Sequence, residues 1–210
     1  MNRFLVAALI VAGVLAGITA GYFFSGPGAE PPTLERATLF ATPRALPDFA
    51  LVDQAGRNFG LSQLRGHWTF LFFGFVNCPD VCPTTLATLA EARRLLADLP
   101  PGERPEVALV SVDPARDTPD VLGRYVSHFD PAFKGVTGSA DSINALTKHL
   151  GVAVVVGPPA ADGSYSVDHT AAIFLIDPTA SQVALFGSPH DAAVIARDYR
   201  GIVAARPSRE

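Results

Sequence analysis

The feature that most constrains this chain is a nearly unbroken apolar run at residues 68–75 that ends against its two cysteines. Trp68-Thr69-Phe70-Leu71-Phe72-Phe73-Gly74-Phe75 lacks the alternation of a half-exposed strand. Such a segment needs cover on both faces, as a central strand between layers of helix has. Immediately beyond it stands Cys78-Pro79-Asp80-Val81-Cys82-Pro83. Two thiols four positions apart can close a disulfide, exchange electrons with another disulfide, or grip a soft metal ion. The entropic gain from a disulfide grows with the loop it closes. This loop is so short that a structural bridge would stabilise little, which shifts the reading toward chemistry.

The sequence around this strand alternates between strand-like and helix-like segments. Residues 49–52 and 58–59 read as a short hairpin around Asp53-Gln54-Ala55-Gly56, followed by one helical turn at residues 61–66. Residues 83–99 carry apolar side chains near helical spacing (Leu86, Leu89, Leu95, Leu96) opposite Glu91, Arg93, Arg94 and Asp98. Residues 107–112 form a second buried strand. Asp117-Thr118-Pro119 opens a helix over 120–129, and Ser139 or Asp141 caps another through Leu150. A strand at 152–156, a Gly/Pro-rich loop, a hairpin over 170–186 and a last helix over 191–205 complete the order. Strands alternating with helices, then an antiparallel pair, predict an α/β fold with a mixed central sheet. With a dithiol at the end of the first long strand, the layout is thioredoxin-like.

Composition matters chiefly at the N-terminus. The chain is 49% hydrophobic and only 17% charged, and residues 4–29 carry no charge at all. Residues 4–24 are nearly all apolar, about the ~20 residues a bilayer-crossing helix needs. A cleaved signal peptide is the alternative; its apolar region runs to roughly 7–15 residues. Three parts are therefore expected: a membrane anchor at 1–25, a Pro/Gly-rich linker at 26–46 and the folded domain at 47–207. Arg3 favours an inside N-terminus, which puts the domain on the far side of the membrane. The formal net charge of −4 argues against nucleic acid as a partner.

Prolines confine the cysteine loop. Each cysteine precedes a proline and is pushed toward extended geometry, and the helix is expected to begin at Pro83 with Cys82 at its N-cap. A helix N-terminus favours thiolate over thiol. The redox motif usual in this fold has two residues between the cysteines; here there are three, which leaves room for the sulfurs to spread around an ion. Two thiolates do not usually complete a soft-metal site, so a third ligand is sought among five histidines. His169, in Tyr165-Ser166-Val167-Asp168-His169-Thr170, lies between a glycine-containing loop and a strand, where a rigid element often holds a functional side chain. A hydrogen-bonded loop histidine is the alternative. His128 and His149 sit in last turns of helices, where an imidazole is stabilised structurally, and His67 and His190 sit in turns.

Three segments together resemble the Sco/SenC copper-chaperone family: Cys78-Pro79-Asp80-Val81-Cys82-Pro83, Ser111-Val112-Asp113-Pro114-Ala115-Arg116-Asp117-Thr118-Pro119, and Val167-Asp168-His169-Thr170. Phe133-Lys134-Gly135-Val136-Thr137-Gly138 fits a further family segment. The resemblance spans about residues 46–205. It implies a thioredoxin-like fold with an inserted β-hairpin, and copper, as Cu(I) or Cu(II), bound by Cys78, Cys82 and His169. It implies service to the CuA centre of cytochrome c oxidase subunit II, by copper delivery, by reduction of that centre's cysteines, or both. Another copper chaperone or a thiol reductase would then be a further partner, and the cytoplasmic membrane with a periplasmic domain the location. Asp80 and Asp168 match acidic positions beside the ligands, as supporting or docking groups. The sequence departs from the family at Val76-Asn77 and in residues 152–159, which lack an expected tyrosine and lysines. The competing reading is an exported thiol–disulfide oxidoreductase or peroxidase without metal, with Cys78 and Cys82 as its redox pair; it leaves His169 unexplained.

Overall fold

The computed structural model describes residues 33–161 and 163–206, together with Ala12, Gly13 and Gly17, which are helical. The rest of the anchor expected over residues 1–25 lies outside the described residues. Among the described residues, no helix is long and apolar enough to cross a membrane.

The folded unit begins at Thr33. Its strands are β1 (Ala37–Ala45), β2 (Leu51–Asp53), β3 (Asn58–Phe59), β4 (Thr69–Gly74), β5 (Glu106–Ser111), β6 (Lys134–Thr137), β7 (Val154–Val156), β8 (Val167–His169), β9 (Ile173–Ile176) and β10 (Ser181–Phe186). Its helices are α1 (Leu61–Leu64), α2 (Val81–Leu95), α3 (Pro119–Ser127), α4 (Ala140–Leu150) and α5 (Ala192–Ala205). Eight strands form one sheet in the order β1-β10-β9-β4-β5-β6-β2-β3, while β7 and β8 pair only with each other in a separate ribbon. The centre, β4-β5-β6, is parallel, and the flanks are antiparallel. This is the mixed-sheet, thioredoxin-like α/β fold that the alternating pattern predicted.

The apolar run explains why β4 is central. Phe70, Leu71, Phe72 and Phe73 have no exposed surface, so both faces of the strand are covered. Each such side chain is worth about 1.5–3 kcal/mol of burial. At the start of the strand, Trp68 and Phe70 pack against Tyr199 of α5, with ring centroids 5.9 and 5.2 Å apart. α5 in turn packs on α2, the helix that carries Cys82. The core thus fixes β4 and the helix that follows it as one body.

Four expectations differ from the structure. Residues 37–45, expected within the linker, form the edge strand β1 on β10. The strand has no alternating pattern and contains Pro43, which an edge tolerates because one side of its backbone needs no ladder. Its start is pinned by the buried carboxylate of Asp198, which accepts the N–H groups of Glu35, Arg36 and Ala37 at 2.8–2.9 Å. The cysteine helix begins at Val81, not Pro83, and ends at Leu95. Pro83 sits in its first turn, where its missing N–H has no intrahelical partner to lose, and Cys82 is helical rather than extended. Residues 134–137, read only as a family segment, form β6 within the sheet. The strand near residues 152–156 does not join the main sheet, but makes the ribbon with β8.

Candidate metal centre

Three elements bring the site together. β4 ends at Gly74, and the chain turns through Phe75–Cys78, where the Cys78 N–H bonds the Phe75 carbonyl at 3.4 Å. The turn is held from the side: the Val76 N–H donates to Asp117 Oδ2 at 3.1 Å. α2 then carries Cys82 back over the end of the strand. A Cβ on Gly74 would stand only 2.9 Å from Cys82 Sγ and 3.1 Å from Leu109 Cδ1. The glycine is therefore what lets the Cys82 sulfur lie against the sheet. Cys82 has no exposed surface and Cys78 is 9% exposed. The Cys82 N–H, an unpaired donor of the first helical turn, points at Cys78 Sγ at 3.4 Å.

His169 arrives on β8. Its Nε2 lies 3.3 Å from Cys82 Sγ, and its Nδ1–H donates to the Thr170 carbonyl at 3.2 Å. Engaging Nδ1 as a donor leaves the Nε2 lone pair for the sulfurs or for an ion, the arrangement by which a second partner fixes a ligand's tautomer. The ring is walled by the edges of Phe72 and Phe75, each centroid 5.9 Å away. One donor atom from each of Cys78, Cys82 and His169 lies within 4.8 Å of the others. Both sulfurs are free rather than bonded to each other.

Burial sets the charge state here. It pushes the Cys82 thiol far above its ordinary range; a backbone hydrogen bond near Phe75 opposes this, and the Cys78 sulfur adds to it. Burial likewise holds His169 below the usual imidazole value, against the hydrogen bond to Thr170 and the charge of Asp168. The helix N-terminus was expected to yield thiolate. The desolvation cost of a wholly buried sulfur exceeds what the first helical turn returns. Both shifts favour an uncharged thiol beside an uncharged imidazole, with Nε2 placed to accept from Cys82 Sγ. Two soft sulfurs and one imidazole suit Cu(I) and Cu(II), and zinc accepts the same set. An arriving cation supplies the positive charge that the buried sulfur lacks.

The other histidines have structural partners. His149 and His190 each turn Nε2 to a backbone carbonyl, Ala45 at 3.0 Å and Ala171 at 2.9 Å. His128 stands edge-on to Phe129, and His67 lies 4.0 Å from Glu106. Asp80 and Asp168 are exposed neighbours of the ligands in the chain; Asp80 meets Thr84 Oγ1 at 3.5 Å. Asp113, Arg116 and Asp117 make a local turn network. Ser111 Oγ donates to Asp117 Oδ2 at 2.6 Å and accepts the Asp113 N–H at 3.0 Å, and Arg116 Nε pairs with Asp113. Sequence reasoning did not single out Gly74, Phe72, Phe75 or Tyr165. The position of Gly74 at the end of the apolar run and of Tyr165 four residues before His169 were the available signals.

Comparison with known proteins places this geometry. The family model described as SCO1/SenC matches residues 39–204. A protein of Stutzerimonas stutzeri assigned by name to copper binding is 42% identical over 152 residues, covering 70% of this chain and 72% of its own. The bovine mitochondrial protein SCO2 homolog is 42% identical over 132 residues, 62% of this chain and 49% of its own, so the match spans about half of that relative's length. The structure of Bradyrhizobium japonicum ScoI with copper bound superposes with a TM-score of 0.66 at 34% identity, over 74% of this chain and 98% of that one.

Proposed function

The chain belongs to the SCO1/SenC family, and we propose that it carries copper between Cys78, Cys82 and His169 for the assembly of cytochrome c oxidase. The observation that carries this reading is the convergence of two sulfurs and one imidazole, from the β4–α2 turn, α2 and β8, within 4.8 Å. Both cysteine protons leave as copper binds, because the ligands are thiolates. The Phe72 and Phe75 edges keep water from the imidazole side, and the side with the exposed Asp80 and Asp168 is where a partner's ligands reach the ion. Transfer then proceeds by exchange of these three ligands for the partner's own.

The recipient in this reading is the CuA site of subunit II. Residues 1–25 anchor the protein in the cytoplasmic membrane and the folded unit faces the periplasm, as the apolar run behind Arg3 supports. A Cys78–Cys82 disulfide is the off state, since it removes both sulfur donors; reduction by a thiol reductase restores them. A purely redox role is less favoured. It gives no task to His169, whose Nε2 lies 3.3 Å from Cys82 Sγ.

Copper titration of the reduced protein tests the reading. A 1:1 complex is expected, greatly weakened by Cys78→Ala, Cys82→Ala or His169→Ala. Unchanged affinity in His169→Ala would remove the third ligand, and normal oxidase assembly in cells carrying that variant would leave the redox role alone. Alkaline extraction of membranes tests the anchor: the full chain should stay with the lipid.

A further inference from the structure

His169 stands on the two-stranded ribbon β7–β8, which shares no ladder with the eight-stranded sheet. The cysteines, by contrast, are held by β4 and α2. The main ladder therefore does not set the distance between the two halves of the site. A polar cluster at the root of the ribbon spans that gap. Tyr165 Oη donates to Asp113 Oδ1 at 2.6 Å. Arg116 donates through Nη1 to the Tyr165 carbonyl at 3.3 Å, and its guanidinium lies 3.7 Å from the centroid of the Tyr165 ring. Arg116 Nε also pairs with Asp113, so one carboxylate takes the tyrosine and the arginine together.

That carboxylate is itself fixed. Asp113 is 4% exposed, and its N–H donates to Ser111 Oγ, which donates to Asp117 Oδ2. The same Asp117 oxygen accepts the N–H of Val76, two residues before Cys78. A continuous chain of hydrogen bonds thus joins the turn that carries Cys78 to Tyr165, four residues before His169. We propose that Tyr165 and Arg116 are positioning residues: with Asp113 they form a clamp that presents His169 to the cysteines. This rests on the copper-carrying reading above. The clamp touches no ligand. It acts on the ribbon, and through the ribbon on the imidazole alone.

Tyr165→Phe tests this, because it removes one O–H and keeps the ring under Arg116. Arg116→Gln is the second variant. Two readouts are needed. In the metal-free protein, amide exchange at His169 and Thr170 should quicken about tenfold, with the amides of β4 and β5 unchanged, as for local opening of one element. In the copper-loaded protein, Tyr165→Phe should weaken binding about tenfold, within the range seen for groups that orient ligands. It should cost nothing further when His169→Ala is already present. Equal weakening in the His169→Ala background, or faster exchange throughout the sheet, would overturn the clamp, as would unchanged exchange in the ribbon. If copper fails to bind at all, the exchange measurement still decides the clamp while the carrier reading falls.

Discussion

The two halves of this site are built in opposite ways. The cysteine half belongs to the core: β4 lies between two neighbours, its phenylalanines are wholly buried, and Cys82 rests against Gly74. The histidine half belongs to a ribbon of two three-residue strands whose outer residues Val155 and Val156 are exposed. The first half is continuous with the core. The second reaches the core only through Val167 and Val154 and is otherwise held by polar bonds and ring edges. A carrier must bind its ion firmly and yet release it to another set of ligands. A fixed pair of donors with one separable donor meets both needs, since the site opens on one side without loss of the fold.

The largest effects are expected on the fixed side. Replacing either Cys78 or Cys82 by Ala should weaken copper by well over the roughly 100-fold typical of outer partners, read by competition with a chelator of known affinity. Gly74→Ala attacks the same side through packing. A new methyl 2.9 Å from Cys82 Sγ must displace the sulfur or the strand. Overpacking of this kind costs about 1–3 kcal/mol. For a domain of this size that lowers Tm by about 2–4 °C per kcal/mol, together with a loss of copper affinity. If Gly74→Ala bound copper normally with an unchanged Tm, the core would not be what places Cys82.

His169→Ala should separate the halves. Copper binding falls, yet the melting temperature and the amide exchange of β4 and β5 stay near the wild-type values, because the ring meets the core at Phe72, Phe75 and Cys82 without being part of the main sheet. A large loss of stability would show that the ribbon is part of the core after all.

The sequence revealed the fixed half far better than the separable one. Continuous burial writes a continuous apolar run, so β4, β5 and the helix between them are legible from pattern alone. Cys78 and Cys82 lie four positions apart in the chain and need no tertiary inference. His169 lies far along the sequence, and its context as a loop-to-strand junction left a structural role open until the family segments were considered. β1 and β8 were missed for a shared reason. Each is an edge or ribbon strand with little buried surface, so neither carries an apolar period. Expecting thiolate from the helix start also went astray, because burial of Cys82 depends on packing that the local sequence does not express.

A further effect concerns protons, and it too distinguishes the halves. Burial raises the Cys82 thiol, so its proton is held to higher pH than usual and must leave when copper arrives. The apparent affinity should therefore rise with pH, by about tenfold per unit for each proton displaced. His169 is shifted the other way and is already neutral above its lowered value. It should add no slope between pH 7 and 9, so the profile of His169→Ala should parallel that of the wild type in this window. A slope that flattens below pH 8 would mean that Cys82 ionises more easily than its burial implies.

Copper-edge X-ray absorption of the loaded, reduced protein, compared with His169→Ala, tests the divided site most directly. Two sulfur neighbours and one nitrogen neighbour are expected in the wild type, with only the nitrogen lost in the variant. A nitrogen shell that survives His169→Ala, or a sulfur shell that changes with it, would contradict a site made of a fixed pair and a separable third ligand.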